Sequence, residues 1–247
     1  MSHDKNLVKL ITTVGAHYGT WEVFADFLEM AALSLCNAAD HGPLRAEREA
    51  QYLRTVKKYE KKYLDMFPQM LAELVLAMED QPGDILGRIY GELRLADKWK
   101  GQFFTPDTVA RCMAEVLLTG DIQAQIEAKG FITLQEPAIG GGAMVINFAL
   151  ALHAKGVNYQ QAMLVTGIDT DIKAIYMAYI QLALLHIPAI LVHGNALSME
   201  VYSNWYTPAY ILGGWAWKRQ RENPADIVQI IGPATPPDKF ELISLFD

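Results

Sequence analysis

Three polar side chains in the second half of the chain are of types and at positions that could bind a small polar ligand. Glu136, Asp169 and Asn195 each follow a short β-prone run, and residues 140–142, soon after Glu136, are all glycine. Glycines have no Cβ atom, so a ligand can contact the backbone there, and the helix predicted to follow leaves free N–H groups at its N-terminus. The order strand, acid, glycine turn and helix is typical of a nucleotide-like site at the carboxyl edge of an α/β sheet.

The glycine turn differs from the patterns that hold phosphates. A pyrophosphate site has Gly-x-Gly-x-x-Gly, but Val145 stands at the third glycine position, and no Gly-x-x-x-x-Gly-Lys-Ser/Thr sequence occurs. The carboxylate of Glu136 would repel a pyrophosphate and attract a cationic ligand. S-adenosylmethionine is such a ligand, because it carries sulfonium and ammonium groups beside a ribose and an adenine. Asp169 can then accept both ribose hydroxyls, and the Asn195 amide can hydrogen-bond to the adenine edge.

The elements that must position these residues are predicted from hydrophobic spacing and from glycine and proline breakers. After residue 130 strands alternate with helices, which predicts a parallel sheet with right-handed crossovers. The predicted strands span 131–135, 163–168, 189–193 and 226–231, and the helices between the first three span 143–155 and 171–186. Residues 202–224 are predicted to be irregular, with a surface or interface loop at 204–208.

The first hundred residues carry apolar side chains at helical spacing and predict helices only. We therefore expect a helical N-terminal domain, 1–100, and an α/β domain, 101–247, joined at 99–102. One continuous helix is predicted along the aromatic stripe that includes Tyr59 and Tyr63, and the stripe is expected to be a packing seam.

Composition and charge restrict the class of protein. The chain of 247 residues is 51% hydrophobic and 20% charged, and its formal net charge of −7 argues against a surface that binds nucleic acid throughout. Cys36 and Cys112 stand in apolar helical patterns and are expected to be buried, reduced thiols. No metal-ligand spacing, signal peptide or membrane-spanning run is visible in the sequence, so we expect no metal, no membrane association and a cytoplasmic location.

Positive charge is concentrated in one segment of the N-terminal region. Its basic residues are Arg45, Arg48, Arg54, Lys57, Lys58, Lys61 and Lys62. They could form the solvated face of a helix, or a strip that contacts DNA phosphates. The sequence leaves both interpretations open, so DNA is a candidate partner through the segment from Arg45 to Lys62.

Four motifs in chain order resemble those of the adenine-N6 DNA methyltransferases, specifically the modification subunits of type I restriction systems. They are Gly101-Gln102-Phe103-Phe104-Thr105-Pro106, Glu136-Pro137-Ala138-Ile139-Gly140-Gly141-Gly142, Gly167-Ile168-Asp169 and Gly194-Asn195-Ala196-Leu197. The resemblance implies a Rossmann-like S-adenosylmethionine-dependent methyltransferase core, with a truncated parallel sheet, after a helical N-terminal region. It also implies cofactor contacts from Phe104, Thr105, Pro106, Glu136, Pro137, Ala138, Gly140, Gly142, Asp169 and Asn195.

The chain departs from this family where the family's chemistry takes place. In the family, a tetrapeptide follows the fourth strand and consists of Asn or Asp, two prolines, and Tyr or Phe. Its residues hold the amine of the flipped adenine and stack on the base. This tetrapeptide is absent here, and the degenerate candidates at the corresponding position are Gly232, Pro233 and Ala234. Only 16 residues follow Ile231. The resemblance therefore implies a shortened relative, or a sheet completed by the N-terminal region or by a second chain.

Three hypotheses follow from these residues. The one they favour is an S-adenosylmethionine-binding pseudoenzyme of this family, with lost or much reduced methyl transfer, that acts on or with DNA or restriction-modification components. The second is an active DNA adenine-N6 methyltransferase with a variant motif or a completing partner subunit. The third is a methyltransferase for another small substrate. A protein partner or homo-oligomer is expected, because the aromatic residues between 205 and 217 could cover a sheet edge or form an interface.

Overall fold

The computed structural model describes residues 2–93, 105, 107–118, 122–219 and 227–229. The helices are α1 (His3–Tyr18), α2 (Thr20–Ala39), α3 (Arg45–Val56), α4 (Lys61–Leu64), α5 (Phe67–Asp80), α6 (Ile85–Glu92), α7 (Asp107–Leu117), α8 (Ile122–Lys129), α9 (Ala143–Ala154), α10 (Tyr159–Ala162), α11 (Ile172–Leu184), α12 (Pro208–Leu212) and α13 (Trp215–Arg219). The strands are β1 (Ile132–Glu136), β2 (Met163–Asp169), β3 (Ala189–Asn195), β4 (Glu200–Tyr206) and β5 (Ile227–Gln229). Within these ranges, no helix is long and apolar enough to cross a membrane.

The helix predicted along the aromatic stripe is interrupted. In the turn between α3 and α4, the hydroxyl of Tyr59 donates to the carboxylate of Asp26 at 2.8 Å, and the Tyr18 hydroxyl accepts from the backbone N–H of Glu60 at 3.2 Å. These contacts with α1 and α2 stabilise a turn where the local spacing alone favours a continuous helix. Tyr59 and Tyr63 are both buried, which confirms the packing seam.

The strands form one sheet in the order β4-β3-β2-β1-β5. β1 pairs in parallel with β2 and β5, and β2 pairs in parallel with β3. This part of the sheet confirms the predicted alternation, including the predicted fourth strand, whose Gln229 lies level with Gln135 of β1. Since parallel strands end at a common edge, β5 ends beside Glu136.

The prediction of an irregular segment after β3 is wrong. Residues 200–206 form β4, which runs antiparallel to β3 at the edge of the sheet, and α12 and α13 follow it. The segment predicted as a surface loop therefore begins inside a strand. Its Trp205 is buried, because the indole packs edge-on against Tyr176 and Tyr179 of α11. Such contacts between distant segments leave no local signal in the sequence.

The two faces of the sheet are covered by different elements. α9 and α11 contribute to a large core that also contains buried side chains of the N-terminal helices. On the other face, Tyr210 and Trp215 pack against Leu164 and Ile190 in a second, smaller core. Of the described aromatic residues after β3, Trp205, Tyr210 and Trp215 are buried, whereas Tyr202 and Trp217 are exposed.

The N-terminal helices and the α/β region share the large core. α11 packs against both α2 and α6, and the predicted joint at 99–102 lies outside the described residues. Cys36 is buried in this core, as predicted. The prediction for Cys112 is wrong: it is exposed, because α7 buries Ala110 and Ala114 and turns Cys112 away from the core.

Candidate functional site

The glycine turn connects β1 to α9 and is tied to β2. The backbone N–H of Ile139 donates to the carbonyl of Ile168 in β2 at 2.9 Å, and the N–H of Gly142 donates back to the Ile139 carbonyl at 2.9 Å. Gly140 and Gly142 have φ values of 53° and 92°, which favour glycine. A Cβ atom on Gly141 would lie 2.6 Å from the Met177 Cε atom. The backbone of the turn therefore favours glycine at positions 140 and 142, whereas a side chain at position 141 would require the end of Met177 to move.

Asp169 ends β2 and faces this turn. One carboxylate oxygen, Oδ2, accepts from the Gly140 N–H at 2.9 Å, and Oδ1 accepts from the Asp171 N–H at 2.9 Å. Burial raises the pKa of Asp169, and the backbone N–H donors partly offset that rise. Each oxygen of a carboxylate can accept more than one hydrogen bond. Asp169 thus holds the glycine turn and retains acceptor capacity for a ligand hydroxyl.

Glu136 ends β1 next to Asp169 and is almost completely buried, with 1% of its surface exposed. Its Oε1 atom accepts from the Ala138 N–H at 3.1 Å, whereas its Oε2 atom is buried without a hydrogen-bond partner among the described residues. Burial raises the pKa of Glu136, the Ala138 N–H lowers it, and the negative charge of Asp169 raises it again. A buried carboxylate oxygen without a donor is costly, so the arrangement favours a cationic or N–H-bearing ligand at this position.

Asn195 ends β3 and supports the following turn. Its amide oxygen accepts from the N–H groups of Leu197 at 2.9 Å and Ser198 at 3.3 Å. The oxygen is therefore used within the chain, which leaves the amide N–H groups as the part of Asn195 available to an adenine edge. Glu136, Asp169 and Asn195 stand at the ends of adjacent strands, in the order that the sequence predicts.

The segment that precedes α7 is only partly described. Thr105 is half-buried, whereas Phe104 and Pro106 lie outside the described residues, as do the catalytic candidates Gly232, Pro233 and Ala234. The helix that follows Thr105 is anchored to the site, because the side-chain amide of Asn147 in α9 donates to the carboxylate of Asp107 at 2.9 Å. Sequence reasoning missed Asn147, although a lone amide in the apolar run of α9 is a signal for a buried partner.

A cavity of about 610 Å³ lies elsewhere in the molecule. Gly130 and Ala162, which precede β1 and β2, line it, and neither Glu136 nor Asp169 does. It therefore opens at the amino edge of the sheet. The cavity volume favours the amino edge, and the side-chain chemistry favours the carboxyl edge. We place the candidate site at the carboxyl edge, because Glu136 is buried there with one oxygen unpaired among the described residues and the half-buried Asp169 lies beside it.

The fold and this edge together define a class of protein. A Rossmann-like sheet, parallel except for the edge strand β4, with a glycine turn after its first strand and acids at the ends of two neighbouring strands, is typical of the core of an S-adenosylmethionine-dependent methyltransferase, here preceded by a helical region. The N-6 DNA methylase family model matches residues 81–219, which is more than half of the chain. The chain therefore belongs to the N-6 DNA methylase family.

Comparison with solved structures gives a match to a Listeria monocytogenes protein described as a class I S-adenosylmethionine-dependent methyltransferase. The TM-score is 0.42 at 16% sequence identity, and the match covers 79% of this chain and 54% of that one. The chain thus spans about half the length of that protein. A comparison with curated protein sequences gives no match.

Proposed function

We propose that this protein binds S-adenosylmethionine at the carboxyl edge of its sheet and that its own methyl transfer to DNA adenine is very slow or absent. The observation that carries the binding proposal is the buried Oε2 atom of Glu136, which has no donor among the described residues and lies beside a second carboxylate. In this proposal, Glu136 faces the ammonium end of the cofactor, and the backbone of Gly140 and Gly142 lies along it. The carboxylate of Asp169 accepts hydrogen bonds from the ribose hydroxyls.

The charges and hydrogen bonds of the site fit this ligand better than a phosphate. Two carboxylates at neighbouring strand ends give a negative field, which attracts a ligand with ammonium and sulfonium groups and repels a pyrophosphate. An ammonium group would supply the donor that Glu136 Oε2 does not find among the described residues, and it would offset the cost of burying the charge. The cofactor would supply the methyl group, and the residues of this site would bind and orient it.

The reduced methyl transfer is proposed from the sequence after β5. The family motif accepts both N–H bonds of the adenine amine and stacks an aromatic ring on the base, and together these contacts contribute several kcal/mol. At the corresponding position the candidates Gly232, Pro233 and Ala234 offer neither a side-chain acceptor nor a ring. A proline pair occurs slightly later, at 236–237, but Thr235 precedes it and Asp238 follows it, so the stacking residue is again missing.

DNA or a protein of a restriction-modification system is the proposed partner. In the basic segment, Arg48, Lys58 and Lys62 form ion pairs with acids of the same region. Lys57 and Lys61 are exposed on the turn and on α4, and the described residues provide no ion pair for either. Arg45 and Arg54 are exposed in the same way, so these four side chains are the part of the segment that is best placed to contact phosphates.

Two measurements on the purified chain test the proposal. Titration calorimetry with S-adenosylhomocysteine should give saturable heat, and transfer of labelled methyl from S-adenosylmethionine to unmethylated duplex DNA should be at or near background. Absence of heat would refute the cofactor site. Ready, saturable methylation of adenine by the chain alone would refute the loss of activity, and methylation that appears only with a second subunit would favour the completing-partner hypothesis.

A further inference from the structure

A glutamine on α11 connects the glycine turn to the N-terminal helices. Gln181 is fully buried, and its side-chain Nε2 donates both to the carbonyl of Gly141 at 2.8 Å and to Oδ1 of Asp84 at 2.8 Å. Its Oε1 atom accepts from the backbone N–H of Leu86 at 2.9 Å. Asp84 and Leu86 belong to the start of α6, so one side chain joins α6, α11 and the turn.

Only one orientation of the Gln181 amide satisfies these partners. Gly141 and Asp84 present oxygens, which require the two N–H donors, while Leu86 presents an N–H, which requires the amide oxygen. A rotation of the amide by 180° would set oxygen against two oxygens and leave three buried groups unpaired. Because unpaired buried groups are costly, the three partners fix the Gln181 side chain.

Asp84 is itself fixed by the helix that it caps. Its carboxylate accepts from the Gly87 N–H at 2.9 Å, which is the N-cap hydrogen bond of α6. The same oxygen, Oδ1, accepts from Gln181. The position of the Gln181 donors therefore depends on the N-terminus of α6, and not on α11 alone.

The carbonyl that Gln181 holds determines the direction of an N–H group in the turn. The Gly141 carbonyl and the Gly142 N–H belong to one planar peptide group, so fixing one fixes the other. The Gly142 N–H donates to the Ile139 carbonyl and closes the turn. A glycine turn without this restraint would sample more conformations, because glycine has access to both signs of φ.

We propose that Gln181 is a positioning residue that fixes the glycine turn of the cofactor site relative to the N-terminal cap of α6, which makes the helical region part of that site. The inference rests on the proposed function only in naming the ligand of the turn. By linkage, a ligand that binds the ordered turn also stabilises the docking of α6.

Two substitutions of Gln181 and one control test the inference in the full chain. Gln181→Glu keeps the shape but loses the donors, and Gln181→Met loses all hydrogen bonds at similar length. Gln161→Glu makes the same charge change on an exposed glutamine of α10. Hydrogen–deuterium exchange is measured on peptides that cover the turn and the start of α6, with urea unfolding to correct for global stability.

Both Gln181 variants should show faster exchange at the Gly142 amide and at the start of α6 than global unfolding explains. Affinity for S-adenosylhomocysteine should fall about 10-fold or more, as expected for loss of a buried hydrogen-bond network. Gln161→Glu should match the native chain. A further variant, Asp84→Asn, keeps a carbonyl acceptor for both donors of Oδ1, so it should retain the native exchange of the turn and of the start of α6.

Unchanged exchange at Gly142 in a folded Gln181 variant would overturn the inference. An increase spread evenly over the chain would overturn it as well, since that is the effect of a residue that only stabilises the fold. If the native chain binds no S-adenosylhomocysteine, the proposed function fails, but the exchange of the ligand-free turn still decides whether Gln181 positions it.

Discussion

Replacement of Glu136 by glutamine should change stability and ligand affinity in opposite directions. In the ligand-free chain, a carboxylate with 1% exposure and one oxygen without a donor among the described residues destabilises the fold. An unsatisfied buried polar group costs about 1–3 kcal/mol, and more when it is charged. Glutamine is neutral but keeps a polar head, so we expect Glu136→Gln to stabilise the chain by about 1 kcal/mol, or about 2–4 °C in Tm.

The same substitution should weaken cofactor binding. A hydrogen bond to a charged group contributes about 1.5–3 kcal/mol. Loss of the pair between Glu136 and an ammonium group should therefore weaken S-adenosylhomocysteine binding roughly 10- to 100-fold. Glu127→Gln on α8 is the matched control, because Glu127 is exposed and lies away from the turn. It should change neither the Tm nor the affinity appreciably.

The pH dependence of this effect follows from the direction of the pKa shift. Burial raises the pKa of Glu136 in the folded chain. Between the ordinary carboxyl pKa and the raised one, the folded chain binds more protons than the unfolded chain, so the native protein loses stability as the pH rises through that window. The stability gained in Glu136→Gln should be largest above the raised pKa and should vanish in acid.

Thermal unfolding across pH, combined with calorimetry at neutral pH, measures both halves of this prediction. A variant that is less stable at every pH, with unchanged affinity, would show that Glu136 has a structural role only. In that case the orphaned oxygen would not mark a ligand site, and the reasoning from burial to function would be refuted.

Two further predictions concern Asp169 and the basic segment. Asp169→Asn should lower the stability by about 1 kcal/mol and the cofactor affinity about 10-fold, because one of the two backbone N–H donors and a ribose hydroxyl lose an anionic acceptor. Urea unfolding measures the stability and calorimetry measures the affinity. The control is Asp171→Asn, which should keep the native affinity. Charge reversal at Lys57 and Lys61 should flatten the dependence of DNA affinity on salt. Reversal of Lys58, which already pairs with an aspartate, should lower stability and leave that slope nearly unchanged.

The parallel part of the sheet can be predicted from sequence because its signals are local. The apolar runs before Glu136 and Asp169 are bounded by glycine, acid and proline, and those boundaries place the strand ends within one or two residues. The edge strand β4 could not be predicted in this way. Its Trp205 is ordered by Tyr176 and Tyr179 from a distant helix, and the Thr207-Pro208 step after it is typical of a turn.

The sequence predicts which residues lie at the candidate site, but not which of their atoms are already hydrogen-bonded. Strand ends and a glycine turn identify Glu136, Asp169 and Asn195, because carboxyl ends of parallel strands converge. What the sequence does not reveal is which atoms are already used: the amide oxygen of Asn195 supports its own turn, while Oε2 of Glu136 has no donor among the described residues. Gln181 in the apolar run of α11 indicates a buried partner, but the sequence does not reveal that its partners are Gly141, Asp84 and Leu86.

The polar groups around the glycine turn differ in whether they are hydrogen-bonded within the chain. The donors of Gln181 and the acceptors of Asp169 pair within the chain, so the turn and its N–H directions are set without contacts from a ligand. Glu136 Oε2 lacks a donor among the described residues, so its pairing energy becomes available only on binding. A preorganised backbone lowers the entropic cost of association, and a single unpaired carboxylate oxygen directs the cationic end of the ligand. The proposed cofactor binding is therefore compatible with the absence of the family's catalytic tetrapeptide from this sequence, since no residue of the proposed binding set belongs to that motif.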